Sequence, residues 1–226
     1  MLADRLRGTL RRPLQQLARG AIRGIFGALF TLSLEGTPPA TGPYVLAANH
    51  QGWADAFVLM ALFPADPPLV FLGDEQAVTH VWWKRAVMWV FGGVIRIDRT
   101  RGADPSAIEA SLAVLRRGGV LVVFPEGRVS RREDEPIPFH RGVAYLALKA
   151  GAPIVPVRLS GTAELYLGRR LAVSVGAPRA TASCAATKAA TEALAREVHD
   201  DVARLMPAWR EEQVARKRLR WLTDLL

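Results

Sequence analysis

Tyr44-Val45-Leu46-Ala47-Ala48-Asn49-His50-Gln51-Gly52-Trp53-Ala54-Asp55 is the stretch on which the reading of the whole chain turns. Residues 44–48 form an apolar run that reads as a buried strand. His50 and Asp55 follow it, five positions apart, and on one ideal helix their side chains would point about 140° away from each other. The chain must therefore turn between them. Gly52 allows that turn, and the simplest arrangement has His50 in a loop at the strand's end and Asp55 in the first turn of a helix reaching residue 62. A carboxylate there could accept one imidazole N–H, fix the tautomer and leave the other nitrogen free as a base. Taken alone, the pair also fits a helix cap beside a partly buried imidazole.

Outward from this stretch the chain alternates between strand and helix. Pro67 and Pro68 introduce a strand at 69–72, and residues 80–91 read as a helix carrying Trp82, Trp83 and Trp89 with Lys84 and Arg85. That mixture resembles the aromatic and basic belt of an interfacial segment, with ordinary core packing of the tryptophans as the other reading. A short strand at 94–97 ends in Asp98-Arg99, and Asp104-Pro105 is a helix start with the proline at the first helical position. Gly118-Gly119 stops that helix. Residues 120–124 are an uninterrupted apolar strand, as expected in a sheet covered on both faces, and run into Pro125-Glu126-Gly127-Arg128. A polar surface loop at 131–138 precedes a helix at 141–150 closed by Gly151. Strands at 154–159 and 171–175 follow, then a helix at 185–206 ended by Pro207 and a basic amphipathic helix from 209 to 226.

This pattern predicts an α/β fold, a mixed and largely parallel sheet flanked by helices, with amphipathic helices at both termini. Residues 1–34 are expected to form membrane-associating helices, 35–180 the α/β core and 181–226 the C-terminal helices. In the first of these segments Leu2, Leu6, Leu10, Leu14, Leu17, Ile22, Ile25, Phe26, Leu29 and Phe30 recur at helical spacing among arginines. Pro13 is expected to divide it into two helices. An apolar stripe flanked by arginines suits the lipid interface; packing on the chain's own domain is the other reading of its second half.

With 226 residues, half of them apolar, the chain suits one well-cored domain with terminal additions. Its formal charge of +9 and pI near 10.7 call for an anionic partner. No nucleic-acid fold signature accompanies that charge, so an anionic membrane surface is expected and nucleic acid is not. The single cysteine, Cys184, permits no internal disulfide and fits a reducing compartment. No secretory pattern is read at the start. The ten-residue uncharged stretch 86–95 is about half of what a bilayer crossing needs. A protein on the cytoplasmic face of the membrane is expected, peripheral or monotopic.

Four ordered motifs carry a family resemblance: Asn49-His50 with Asp55; Gly93-Val94-Ile95-Arg96-Ile97-Asp98-Arg99; Phe124-Pro125-Glu126-Gly127-Arg128; and Val155-Pro156-Val157. Over residues 40–165 the chain resembles the glycerolipid acyltransferases of the 1-acylglycerol-3-phosphate O-acyltransferase type. The resemblance implies transfer of a fatty acyl chain from a coenzyme A or acyl carrier protein thioester to a lysophospholipid hydroxyl, giving phosphatidic acid. His50 would take the hydroxyl proton and Asp55 would orient the imidazole. No acyl-enzyme, metal or cofactor beyond the thioester co-substrate is implied. Arg99 and Arg128 are candidates for the acceptor's phosphate, since guanidinium pairs bidentately with its oxygens. Glu126 with Gly127 would organise the loop or bind the acceptor's glycerol. Two positions depart from the family pattern. Arg96 stands where an aromatic is usual, adding a phosphate contact or simply facing solvent, and Arg128 follows Gly127 directly, without the usual Thr between. The second departure resembles relatives acting on other lysophospholipids, so another lysolipid acceptor stays open.

Overall fold

A computed structural model describes residues 2–74, 93–97, 104–133, 135–181, 185–206 and 216–225, with side chains from residue 15 onward. The expected helix at 80–91, Arg99 and Cys184 lie outside the described residues. Within them, helices α1 (Leu2–Leu29), α2 (Ala54–Leu62), α3 (Pro105–Arg116), α4 (Gly142–Ala150) and α5 (Lys188–Arg204) surround one sheet. Its strands are β1 (Thr31–Glu35), β2 (Tyr44–Ala48), β3 (Leu69–Asp74), β4 (Val94–Ile97), β5 (Val120–Val123), β6 (Ile154–Ser160) and β7 (Arg170–Val175).

The spatial order is β1-β7-β6-β2-β5-β3-β4. Pairing is parallel except between β6 and β7. The expected mixed, largely parallel sheet is thus present. Strands β2, β5 and β6 are buried along their whole length because helices cover both faces. One face packs α1 and α2 against Leu46, Phe71, Val122 and Val157, and the other packs α3, α4 and α5 against Val45, Leu121 and Ile154. Neighbouring residues in a strand feed opposite cores, as the two-residue period requires.

Local chemistry accounts for the helix ends. The Asp104 side chain accepts from the N–H groups of Ser106 and Ala107 ahead of Pro105, and Gly151 closes α4 in the left-handed conformation at φ 61°. Pro156, in a central strand, stands opposite Gly176 just beyond the end of β7, and its carbonyl accepts the Gly176 N–H at 2.9 Å, so its missing N–H falls at the end of the β6–β7 ladder.

Three expectations are corrected. The backbone of α1 runs unbroken from Leu2 to Leu29, so Pro13 does not divide it. A proline removes one N–H and crowds one carbonyl, and a long helix can absorb that local loss. The segment 31–35 is an edge strand, β1, that no expectation included, and the boundary drawn at 34/35 falls inside it. Residues 216–225 form no α-helix; a 3-10 turn, Arg220–Asp224, follows a left-handed Leu219 that interrupts helical geometry.

One face of the second half of α1 packs on the domain, through Ile22, Phe26 and Leu29, while Leu17 and Ile25 are exposed. Phe26 and Phe30 are buried with Trp53 and Phe57, and Arg19 donates to the carbonyls of Pro64 (2.7 Å) and Phe63 just beyond α2. Among the described residues no helix is long and apolar enough to cross a membrane.

Where β2 ends, its neighbour β6 continues, and the buried Asn49 amide takes over the ladder. Its Nδ2 donates to Leu159 O at 2.9 Å and its Oδ1 accepts from Leu159 N at 2.7 Å. Asn49→Ala orphans both buried backbone groups and should cost about 2–4 kcal/mol. The loss should appear as a lower urea midpoint with an unchanged slope.

Candidate active site

The order of the sheet assembles the site. Strands β2 and β5 are adjacent and parallel, with Ala47 opposite Val123, so the segments leaving their carboxyl ends emerge side by side. Crevices of this kind are where open α/β sheets bind ligands. One segment carries His50 and Asp55, the other Glu126, Gly127 and Arg128.

His50 Nδ1 lies 2.7 Å from Asp55 Oδ2. The same oxygen accepts the backbone N–H of Gln51 at 2.7 Å and of Gly52 at 2.9 Å. Asp55 is in the first turn of α2, yet it takes donors that precede it; a helix cap would take N–H groups that follow. The helix-cap reading therefore falls. Because the carboxylate accepts, the neutral imidazole carries its proton on Nδ1 and its lone pair on Nε2. The Asp55 side chain is fully buried, whereas that of His50 is 25% exposed. The imidazole also stacks on Phe124, with centroids 4.3 Å apart and planes inclined by 19°. A ring held at one nitrogen and one face can present the other nitrogen to a substrate.

Gly52 is required for a reason other than backbone freedom. A Cβ at this position would stand 2.8 Å from the Thr162 carbonyl, so the residue permits close approach of the β6–β7 connection. That connection is part of the support. Gln51 Oε1 accepts from Thr162 Oγ1 at 2.9 Å, and Gln51 Nε2 donates to Arg132 O at 2.9 Å and Glu133 Oε2 at 3.2 Å. The Glu133 carboxylate also accepts from Gly161 N, Ala163 N and Arg169 Nη2, and its carbonyl accepts from Arg158 Nη2 at 2.6 Å. Arg158 and Arg169 are almost wholly buried. Sequence reading took residues 131–138 as a plain surface loop and missed this clamp. The buried arginines in and after β6 were the signal, since a buried guanidinium needs an acceptor.

Glu126 is buried beside His50. Burial pushes its carboxyl up to about 7, against the opposing pull of the His50 and Ile137 N–H groups and the His50 imidazole, while the Asp55 charge adds to the rise. Its Oε2 has no hydrogen-bond partner among the described residues. Gly127 turns the chain at φ 73°, and its N–H donates to Phe124 O. The loop then returns, and Ser130 N–H donates to His50 O at 2.6 Å. Arg128 is exposed on this turn.

Arg96 is less central. It lies on the edge strand β4, exposed, opposite Gly73 and on the sheet face that carries Val94 and Phe124. Two strand spacings, about 10 Å, separate β4 from β5. It lines a cleft with Asp104, Ser106 and Ala107 at the start of α3. His50, Asp55 and Glu126 are therefore brought together, Gly127 and Arg128 flank them, and Arg96 stands apart. Among the described residues no His, Cys, Asp and Glu side chains gather in a group that could hold a metal ion.

This assembly falls inside a family match. A family profile described as Acyltransferase covers residues 31–160, more than half of the chain. The chain belongs to the acyltransferase family. It is 30% identical over 138 residues to 1-acyl-sn-glycerol-3-phosphate acyltransferase alpha of Mus musculus, across 57% of this chain and 44% of that protein. It is 25% identical over 144 residues to the 1-acyl-sn-glycerol-3-phosphate acyltransferase of Bacillus subtilis, across 62% of this chain and 68% of that one. The chain thus spans less than half the length of the mouse relative. The crystal structure of the 1-acyl-sn-glycerophosphate (LPA) acyltransferase PlsC from Thermotoga maritima superposes with a TM-score of 0.66 at 18% identity, over 92% of this chain and 85% of that one. That likeness establishes a shared fold.

The raised Glu126 carboxyl gives stability a definite pH dependence. The folded form holds the proton up to about 7, whereas the unfolded chain releases it near 4.5. The folded state binds more protons across that window, so stability should fall as pH rises through it, by about 2 kcal/mol after allowance for solvent screening. Glu126→Gln should flatten this part of the profile and be the more stable protein at pH 8 in thermal unfolding.

Proposed function

We propose that this acyltransferase moves a fatty acyl chain from a coenzyme A or acyl carrier protein thioester to the free hydroxyl of a lysophospholipid, 1-acylglycerol-3-phosphate, giving phosphatidic acid. The 2.7 Å contact between His50 Nδ1 and Asp55 Oδ2 carries this reading. With Nδ1–H donated to the carboxylate, His50 Nε2 takes the acceptor's hydroxyl proton as the oxygen attacks the thioester carbonyl. Asp55 steadies the imidazolium that forms. The tetrahedral adduct then expels the thiolate, which recovers the proton from His50 and leaves as the free thiol. An alcohol is a poor nucleophile near neutrality, and a positioned base is worth roughly 10²–10⁴ in rate.

Glu126, whose carboxyl burial raises to about 7, organises the loop beside His50 or binds the acceptor's glycerol. Arg128 is assigned to the acceptor's phosphate, with Arg96 and Arg99 as further cations. The names of the relatives support lysophosphatidate as the acceptor.

His50→Ala should lower acyl transfer by roughly 10²–10⁴ with unchanged circular dichroism and vesicle binding. Near-normal turnover by that variant removes the proposed base. Asp55→Asn should lose activity as well, because a carboxamide can present its N–H to Nδ1 and reverse the tautomer. A panel of lysolipids offered with labelled thioester of each donor tests the acceptor; preference for a lysolipid other than lysophosphatidate transfers the assignment to that acceptor.

A further inference from the structure

Residues 216–225 hold three large apolar side chains in solvent: Leu219 at 39%, Trp221 at 61% and Leu225 at 44% exposure. They do so although the segment is tied down along its length. Leu222 is buried in the core beneath α1 and α2, and its carbonyl accepts from Trp53 Nε1 at 2.9 Å. Thr223 Oγ1 accepts from Leu165 N at 2.9 Å and donates to Leu165 O at 3.2 Å. Lys217 and Arg220 both pair with Glu164, and Arg131 reaches Asp224 at 2.8 Å. Leu219 is held at φ 60°, a left-handed conformation that costs a leucine about 1–2 kcal/mol. A segment anchored this firmly could have turned its tryptophan inward; the observed fold spends backbone strain and leaves it outside.

The charge around the exposed residues is lopsided. Arg216, Lys217, Arg218 and Arg220 fall within five positions, against Asp224 and the facing Glu164. Exposed Leu167 adjoins them through its N–H to Arg218 O, 2.8 Å. We propose that residues 216–225 are a lipid-docking knuckle, with Trp221, Leu219 and Leu225 entering the interface of an anionic phospholipid bilayer and Arg216 and Arg218 meeting its headgroups. Tryptophan and leucine beside basic residues are the composition that such an interface selects. A second copy of the chain is the poorer occupant: these side chains offer on the order of 300–400 Å², well below the ~800 Å² per partner of a stable protein interface.

The knuckle also touches the loops that hold His50. Trp53 lies two residues before Asp55, and Arg131 follows Ser130, whose N–H holds the His50 carbonyl. Docking there would bring the crevice to the lipid surface. This inference rests on the reading that the acceptor is a lipid, and it adds the surface from which that lipid is taken.

The test uses the full chain, the variants Trp221→Ser and Leu225→Ser and the pair Arg216→Ser/Arg218→Ser. Each is co-sedimented with vesicles of equal parts phosphatidylglycerol and phosphatidylcholine, and of phosphatidylcholine alone. Acyl transfer is then measured to lysophosphatidate embedded in those vesicles and to a short-chain, water-soluble lysophosphatidate. The Trp221 variant should bind the mixed vesicles on the order of ten-fold more weakly and lose transfer to the embedded acceptor, while transfer to the soluble acceptor stays within about two-fold. The Leu225 variant should shift the same way by less. The arginine pair should lose the preference for anionic vesicles. Unchanged vesicle binding by all three variants overturns the proposal. So does a change in oligomeric state on removing Trp221 without a change in vesicle binding, which would make the patch a self-association face. If the unaltered protein transfers to neither acceptor, the proposed reaction fails, and the sedimentation results still decide the docking.

Discussion

One oxygen of one buried carboxylate, Asp55 Oδ2, takes three donors from the three residues at positions 50–52. A carboxylate with no access to water needs donors from the protein or carries a severe desolvation cost, and Asp55 meets that need through Oδ2 alone, since Oδ1 has no hydrogen-bond partner among the described residues. Here that requirement shapes the backbone: Gln51 and Gly52 must turn their N–H groups toward the start of α2, and the imidazole must follow. The ring orientation is therefore set by the same demand that closes the loop. Asp55 acts as a local folding constraint before it acts in any chemistry.

The remaining supports come from far along the chain. Asn49 fastens to β6, Gln51 reaches Thr162 and Glu133, Gly52 lies under the Thr162 carbonyl, and Phe124 forms the floor on which the imidazole rests. Only a sheet that sets β2 between β5 and β6 can deliver all of these to one loop. The same order creates an unequal pair of carboxyls around His50. Asp55 gathers three donors on Oδ2, whereas burial pushes the Glu126 carboxyl up to about 7. A carboxyl raised in this way can serve as a hydrogen-bond donor near neutral pH.

Much of this was legible in the chain itself. The apolar run 44–48, the five-residue offset of His50 and Asp55 and the Asp104-Pro105 start each follow from local geometry, and the structure has them in place. Glu126 was legible as a candidate beside His50, but its raised carboxyl was not, because burial is a property of the assembled fold. What escaped depended on distant partners. Strand β1, with its alternating TLSLE, becomes a strand by pairing with β7, far away in sequence. Glu133 sits in an ordinary polar loop until Arg158 and Arg169 are brought against it. Gly52 was assigned a turn and proves to answer a steric approach by a strand connection more than a hundred residues later. Pro13 was given more weight than it holds, since a local breaker is judged against the whole helix around it.

The basic character of the chain also changes meaning once the arginines are located. A formal charge of +9 invites the picture of a uniformly cationic surface waiting for an anion. Several guanidinium groups are instead structural: Arg19 serves the carbonyls beyond α2, Arg158 and Arg169 serve the Glu133 loop, and Arg179 pairs with Glu197 and Asp201 of α5. Arginine suits these posts because its planar fork satisfies two acceptors at once and it stays charged when buried. Arg216 and Arg218 are different, being exposed on a segment that also exposes a tryptophan and two leucines. Net charge says by how much cations outnumber anions in a fold. Their neighbours say which of them bind the protein to itself and which are left to bind something else.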